Sequence, residues 1–424
     1  MTGSIVTIML ILFALSIPVA VAIGLASIAG LFAFTSLPAI VIPQQLFVAL
    51  DKFPLAAIPF FILAGSLMEV GGISRRLVEF ARACVGGVQG GLAVTTVVTC
   101  MMFAAISGSS VATTFAVGAV LIPAMVRFGY PVGFAAALTA ASAELGVVIP
   151  PSIPLILYGV ATQTSIPDLF LAGVLPGLLI AAGLIVTALV WCRIRGWGKR
   201  DGEGRDSKRS TFKRAFFALL MPVIVLGGIY GGVTTPTEAS VIAVVYALFV
   251  GIVIHRELKP SLLPQVFHRT VVSSTVIMFI IATASLLGYL LNRESVPDQA
   301  AEWLVTTFQE PVSFLLAMNA MLFVTGMFIE TGASIIVLAP ILTEAATRAG
   351  IDQVHFGIIM VVNLALGMIT PPFGVNLFAA AQVAGCSVLE MLRPLLVFVA
   401  VIIACLAVIT FVPAISLVLG QVLM

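Results

Sequence analysis

The stretch 99-TCMMFAAISGSSVATTFAVGAVLIPAM-125 decides the fold. Apolar residues run almost unbroken from Leu92 to Val126, about 35 positions, whereas one helix crosses a bilayer's hydrocarbon core with about 20. Two full crossings and a turn would need more residues than the run supplies. At its middle stand Ser107-Gly108-Ser109-Ser110, small residues with nothing bulky to fill space. This reads as a re-entrant hairpin that goes halfway into a membrane, turns at the serines and leaves on the side it entered. Non-helical backbone at that depth is stable only where protein or a water-filled cavity surrounds it. The tip is therefore expected to line a site.

Composition agrees with a membrane setting. Hydrophobic residues make up 61% of the chain and charged residues 9%, against about 25% charged in soluble domains. The expected class is an all-α polytopic membrane protein. A net charge of +2 gives no reason to expect nucleic acid. Cys84, Cys100, Cys192, Cys386 and Cys405 are scattered without paired spacing and read as apolar filler. No Lys or Arg precedes the first apolar run, which argues against a cleaved signal peptide.

Outward from the hairpin (about 92–126) the chain divides into two halves. In the first, residues 1–192, the apolar run from Ile5 to Phe34 is interrupted at Ser16-Ile17-Pro18 and reads as two short helices. A helix over Leu55–Met68 leads through Gly71-Gly72 into a basic loop with Arg75, Arg76 and Arg82. Residues 131–163 are apolar but broken at Pro150-Pro151, as expected of two half-helices joined by unwound backbone; a helix over Leu169–Trp191 follows. The linker 193–214 carries nine basic residues against three acidic, so the positive-inside rule places it in the cytoplasm. Counting crossings back from it puts the Arg75–Arg82 loop inside as well. The first hairpin then enters from the cytoplasm and the N-terminus lies outside.

The second half, residues 215–424, repeats the plan. Helices are expected over Phe216–Tyr230, Ala239–Ile254 and Val271–Leu291, with a basic inner loop from His255 to Arg269. An acidic outer loop (Glu294, Asp298, Glu302, Glu310) precedes a second hairpin, about 311–345, centred on Glu330-Thr331-Gly332-Ala333-Ser334. A second broken helix, about 354–383, is interrupted at Pro371-Pro372, and a last helix covers Leu395–Leu419. Pro18 pairs with Pro236, Ile122-Pro123 with Ala339-Pro340, and Arg127-Phe128-Gly129 with Arg348-Ala349-Gly350. Leu145-Gly146 and Pro150-Pro151 pair likewise with Leu366-Gly367 and Pro371-Pro372, each about 220 positions later. The intervening crossings put the halves in opposite orientations. Inverted-topology repeats with broken helices near the midplane mark secondary transporters.

Four interruptions are expected to meet where the repeats join. Each frees backbone carbonyls and adds Ser or Thr hydroxyls, the neutral oxygens that sodium accepts. One Na+ site is expected from Ser107, Gly108 and Ser109 with Gly146, Val147 and Pro150. Its mate would use Thr331 and Gly332 with Gly367, Thr370 and Pro371. The competing reading is that these small residues only permit close helix packing.

Three segments carry a resemblance to a known family: AAISGSSVATTFAVGAVLIPAM, ELGVVIPPSIPLILYGVATQTSIPDLFLAGVLPGLL and NLALGMITPPFGVNLFAAAQVAG. They resemble the large membrane subunit of TRAP transporters, and the likeness spans essentially the whole chain. It implies a sodium-driven elevator that imports organic acids across the bacterial inner membrane. It also implies two partners, a small four-helix membrane subunit and a periplasmic substrate-binding protein. Because the chain opens at the large subunit's first helix, the small subunit is expected as a separate chain. It is expected on the scaffold helices that open each repeat, and the binding protein on the outer face near Arg293–Glu310.

TRAP substrates generally carry a carboxylate, which half-helix N-termini can hold without a dedicated arginine. The expected substrate contacts are Ser152, Tyr158, Phe373 and Asn376, just after each break, joined by Ser110 from the first tip. Packing roles compete at all five. Arg127 and Arg348 fall at helix ends and read as interface anchors. Thr235-Pro236-Thr237-Glu238 fits a capping box. Glu144 lies near mid-depth, where an ionised carboxylate is costly; bonding the hairpin tip, tuning sodium affinity and carrying a proton are its open roles, the first two favoured. Glu330 faces the same choices. His255, His268 and His355 lack metal-ligand spacing, and no nucleophile–base pair, phosphate loop or zinc motif points to an enzyme. The alternative within this mechanistic class is a stand-alone ion-coupled carboxylate carrier. A channel has no need of two tips from opposite faces, and an intramembrane protease needs a Ser–His or paired-Asp arrangement that is missing.

Overall fold

The computed structural model describes residues 2–85, 87–199 and 207–423, so positions 200–206 of the expected linker lie outside the described residues. Every regular element among the described residues is a helix. Nine of these helices are long and apolar enough to cross a membrane, by length and composition.

The first half opens with Thr2–Ala14, Val19–Phe34, Val41–Leu50, a tight turn at Phe53–Ala56, Ala57–Val70 and Ile73–Val85. The first hairpin follows as Gly91–Ser107 and Ser110–Arg127, then the first broken helix as Val132–Ala143, Leu145–Val148 and Ile153–Thr162, then Ile166–Arg195. The second half runs Lys208–Tyr230, Pro236–Phe249 with a wider turn to Ile254, Leu263–Arg293 and Val296–Thr307. Its hairpin is Pro311–Phe328 and Thr331–Arg348, its broken helix Gln353–Met368 and Val375–Ala384, and Val388–Phe411 and Ala414–Leu423 close the chain.

Four expectations need correction. The basic Arg75–Arg82 segment is a helix, because Ile73, Leu77, Val78 and Ala81 form one buried stripe while the arginines take the other face. The acidic 294–310 segment likewise contains the helix Val296–Thr307, which buries Pro297, Ala301 and Leu304. Helices also run into the flanking loops, to Arg195 and from Lys208 and Leu263, because charged side chains extend a helix beyond the apolar layer without burying charge. The last helix breaks at Pro413, which has no N–H to continue the ladder. Where helix starts were read from capping chemistry the reading stands: Thr235 and Glu238 close a capping box with Pro236 in the first turn.

Packing sorts the helices into two bodies. A frame forms where Ala57–Val70 lies against Pro236–Phe249 and Val19–Phe34 against Leu263–Arg293. Within it Ile5, Ile23, Leu31, Leu286 and Leu290 make a cluster separate from the main core. The hairpins, broken helices, Ile166–Arg195 and Val388–Phe411 pack together as a second body. Its contacts are reciprocal: Ser110–Arg127 packs on Val375–Ala384 of the other half, and Thr331–Arg348 packs on Ile153–Thr162.

The two amphipathic helices connect these bodies. At Gly71-Gly72 the chain turns from frame to connector, and a side chain on Gly72, whose φ is +73°, would run into Glu257. Glu257 accepts hydrogen bonds from Arg75 and Arg76, both at 2.8 Å. Next to it the His255 imidazole lies 3.1 Å from the Gly71 carbonyl. Burial, then the Arg76 guanidinium, holds its pKa below the ordinary histidine value. At the opposite connector Arg348 bonds Asp298 at 2.6 Å and Glu344 in its own helix.

Candidate functional site

The first tip and the first break are in direct contact. Gly91–Ser107 ends because Gly108 adopts φ +61°, and Ser109 restarts the helix by capping the Ala112 N–H. The Gly108 carbonyl then accepts the Ile153 N–H at 3.3 Å, across the break. A Cβ on Gly108 would lie 2.6 Å from the Pro151 oxygen, so only glycine lets the two backbones meet.

Beneath this contact lies a buried oxygen cluster. The Thr113 hydroxyl donates to the Ser109 carbonyl at 2.7 Å and stands 3.1 Å from the Ser107 hydroxyl. A Cβ on Gly146 would stand 2.8 Å from the Ser109 oxygen and 3.0 Å from Thr113 Oγ1, so the absent side chain leaves these oxygens uncovered. Val147 and Pro150 complete the turn, and the Val147 carbonyl accepts the Ser152 hydroxyl. All six residues expected for the first site thus lie in one assembly. Thr113 joins them although the sequence reading passed over it; its signal is its place one turn after Ser109, on the same helix face.

The second junction is looser. Glu330 caps the Ala333 N–H just as Ser109 caps Ala112, 221 positions earlier. Thr331 reaches Met368 across the junction, its hydroxyl 2.9 Å from the sulfur. Gly367 packs instead against Gly326, further back on the hairpin, where a Cβ would come within 2.2 Å of backbone. The Thr370 hydroxyl bonds its own Leu366 carbonyl, and Pro371 is half-buried. Among the described residues no hydrogen bond joins Thr370 or Pro371 to the Thr331–Gly332 tip. Ser334, the positional counterpart of Thr113, is buried and its hydroxyl has no partner among the described residues.

Four of the five expected substrate contacts are buried. Ser110 sits behind the tip, and its carbonyl accepts the Thr114 hydroxyl. Ser152 caps Leu155, and Tyr158 points away from the break to bond Thr343 and the Gln353 carbonyl at 2.9 and 2.8 Å. Phe373 is 59% exposed and touches the Phe328 ring. Asn376 is fully buried and donates to Glu144. Glu144 therefore bonds the opposite broken helix and not the hairpin tip, which corrects the first of its favoured roles. Its other carboxyl oxygen and the Asn376 carbonyl oxygen are buried without partners among the described residues.

Residues 6–415 match the family model of the Tripartite ATP-independent periplasmic transporter, DctM component. The chain belongs to this family. It is 43% identical over 405 residues to the isethionate TRAP transporter permease protein DctMQ of Oleidesulfovibrio alaskensis, covering 95% of this chain but 63% of that one. It is 43% identical over 378 residues to the C4-dicarboxylate TRAP transporter large permease protein DctM of Pseudomonas aeruginosa, covering 88% of each. The sialic acid TRAP transporter large permease protein SiaM of Vibrio cholerae is 37% identical over 366 residues, with 85% and 86% covered. The crystal structure of the Alcanivorax borkumensis YdaH transporter, reported to have an unusual topology, aligns over 89% of both chains with a TM-score of 0.60 at 14% identity. That likeness shows a shared fold.

Within this DctM-family chain the glycine contacts reach the frame as well. A Cβ on Gly65, on the frame helix Ala57–Val70, would lie 3.3 Å from Ser107 Cα. The first tip thus rests directly on the frame at a position marked in the sequence only by a single glycine.

Proposed function

We propose that this chain is the large membrane subunit of a sodium-driven importer of small organic acids in the bacterial inner membrane. The hairpins and broken helices would form the moving body of an elevator, and the frame its fixed part. The halves, 1–192 and 215–424, act as inverted repeats joined by the basic cytoplasmic linker, with the N-terminus outside. One observation carries the reading within the family: the buried cluster of Ser107, Ser109 and Thr113 oxygens left uncovered by Gly146. Neutral oxygens at that burial suit a hard monovalent cation, which travels here as a co-substrate. The second tip and break, Thr331 and Gly332 with Gly367, Thr370 and Pro371, would take a further sodium once drawn together. The reciprocal packing of the halves supports this reading, because a single body carrying both tips suits an elevator.

The relatives named for C4-dicarboxylate, sialic acid and isethionate transport share an acidic organic substrate class, and that class is proposed here. The partners are a small four-helix membrane subunit and a periplasmic binding protein. The DctMQ relative, which extends well beyond the match, supports the first of these. The substrate would meet the chain around the Glu144–Asn376 pair, Ser110, Ser152 and Phe373.

Uptake of labelled succinate, N-acetylneuraminate and isethionate into proteoliposomes holding this chain and its small partner tests the proposal. It is measured with and without an inward sodium gradient and the binding protein. Uptake that needs both is the expected result. Uptake without the binding protein would favour the stand-alone carrier, and indifference to sodium would overturn the two cation sites.

A further inference from the structure

Three adjoining cavities, of about 320, 650 and 540 Å³, open between frame and moving body on the side that carries the Arg348–Asp298 bond. They are continuous in their walls: Lys52 and Val160 line the first two, Asn292 and Pro340 the first and third, and Gln163 the second and third. Neither hairpin tip nor either break lines them, so they are distinct from the site described above.

Their charges are few. Glu344 and Arg348 line the third cavity, where Arg348 pairs with both Glu344 and Asp298. Lys52 lines the other two, and its ammonium has no hydrogen bond or ion pair among the described residues. Asp51, its neighbour, is exposed and lines none of the three. The Lys52 backbone is held in place by its surroundings. The helix before it ends at Asp51, Pro54 opens the next turn, and Thr237 donates to the Phe53 carbonyl. An ammonium fixed on the frame thus faces Val160 of the moving body, with the Gln45 and Asn292 amides and the Tyr289 phenol in the same cavity.

We propose that this vestibule is a receiving site for organic anions, in which Lys52 holds the substrate's carboxylate or sulfonate before it reaches the tips. An ammonium with no partner among the described residues attracts an anion at long range, and the amides and phenol supply directional bonds to acid and hydroxyl oxygens. The three cavities together exceed what a small organic acid needs, so one region can receive the molecule while the next passes it on. The inference rests on the import reading for its substrate, although the electrostatics of the vestibule are testable without it.

The first test replaces the five native cysteines by alanine and introduces Val160→Cys, in the full chain reconstituted with its small partner. Labelling rates with an anionic and a cationic methanethiosulfonate reagent are compared between Lys52 and Lys52→Gln. The anionic reagent is expected to react about threefold to tenfold faster with Lys52 present, and the cationic one more slowly. Equal ratios in the two backgrounds would overturn the proposal. In uptake assays Lys52→Gln is expected to raise KM about tenfold with kcat within about twofold, and Lys52→Arg to restore KM. An unchanged KM would also overturn it. If the unaltered protein takes up none of the three acids, the import reading fails, while the labelling ratio still decides the role of Lys52.

Discussion

The two tip–break junctions share one sequence plan and differ in closure. At the first, the Gly108 carbonyl meets the Ile153 N–H and Gly146 sits on the Ser109 carbonyl. At the second, the tight contact has moved back along the hairpin to Gly326–Gly367, and Phe373 stands exposed where its counterpart Ser152 is buried. The difference follows from residue size at the turn. Ser107-Gly108-Ser109 lets backbone approach backbone, whereas Phe328-Ile329-Glu330 holds the second tip away by side-chain bulk. On the proposed function, the first cation site is preassembled and the second needs a rearrangement that substrate or sodium binding can drive.

Substitutions can break or sharpen this contrast. The largest effects are expected at the closest backbone approach of each junction. Gly108→Ala and Gly367→Ala should each cost about 2–4 kcal/mol, because the added methyl meets backbone that cannot move aside. Gly129→Ala and Gly350→Ala share the positive φ of Gly108 but have open space around them, and should cost about 1 kcal/mol. Thermal unfolding in detergent would check the order, and equal costs across the four would show that steric closure at the junctions is not what matters.

Next comes the bond that ties the repeats together. Asn376→Ala leaves Glu144 buried without its donor and should destabilise by about 2–3 kcal/mol. Combined with Glu144→Gln the loss should shrink, giving a coupling of at least about 1 kcal/mol in a double-mutant cycle. Simple additivity would mean that the pair is not coupled.

A smaller effect is expected on sodium itself. Thr113→Val removes a hydroxyl from the closed cluster and should raise the half-saturating sodium concentration about tenfold, or about 1.4 kcal/mol. Ser334→Ala, at the equivalent place in the open junction, should raise it about threefold. The reverse ranking, read from uptake against sodium concentration, would assign the tighter site to the second repeat. The smallest pair is Ser152→Ala and Phe373→Ala. Loss of the Ser152 cap should cost about 1 kcal/mol, while trimming the exposed ring should change stability by less than about 0.5 kcal/mol. A large thermal shift for Phe373→Ala would mean that the second junction is closed in the folded protein.

Much of this was legible in the chain. The hairpins fall within two or three residues of the limits read from the apolar runs at 92–126 and 311–345, and both double prolines interrupt helices as read. Local rules suffice there, since apolar run length, proline and serine act within a few residues. The connectors were not legible as helices, because only a body to lie on shows which side of Ile73–Val85 is buried. Thr113 was missed because its hydroxyl gains meaning only beside Gly146, which comes from another helix.

The sequence by itself determined a helical membrane protein of two similar halves, each with a hairpin and a proline-broken helix, since hydrophobic period and proline placement set these locally. Only the tertiary structure decided that the first junction closes and the second stays open, and that Glu144 finds its donor 232 positions away in Asn376. It also decided that the Lys52 ammonium faces a cavity with no partner among the described residues. Such outcomes depend on which distant surfaces meet, and contact between distant residues is set by the packing of whole helices and not by the residues beside them.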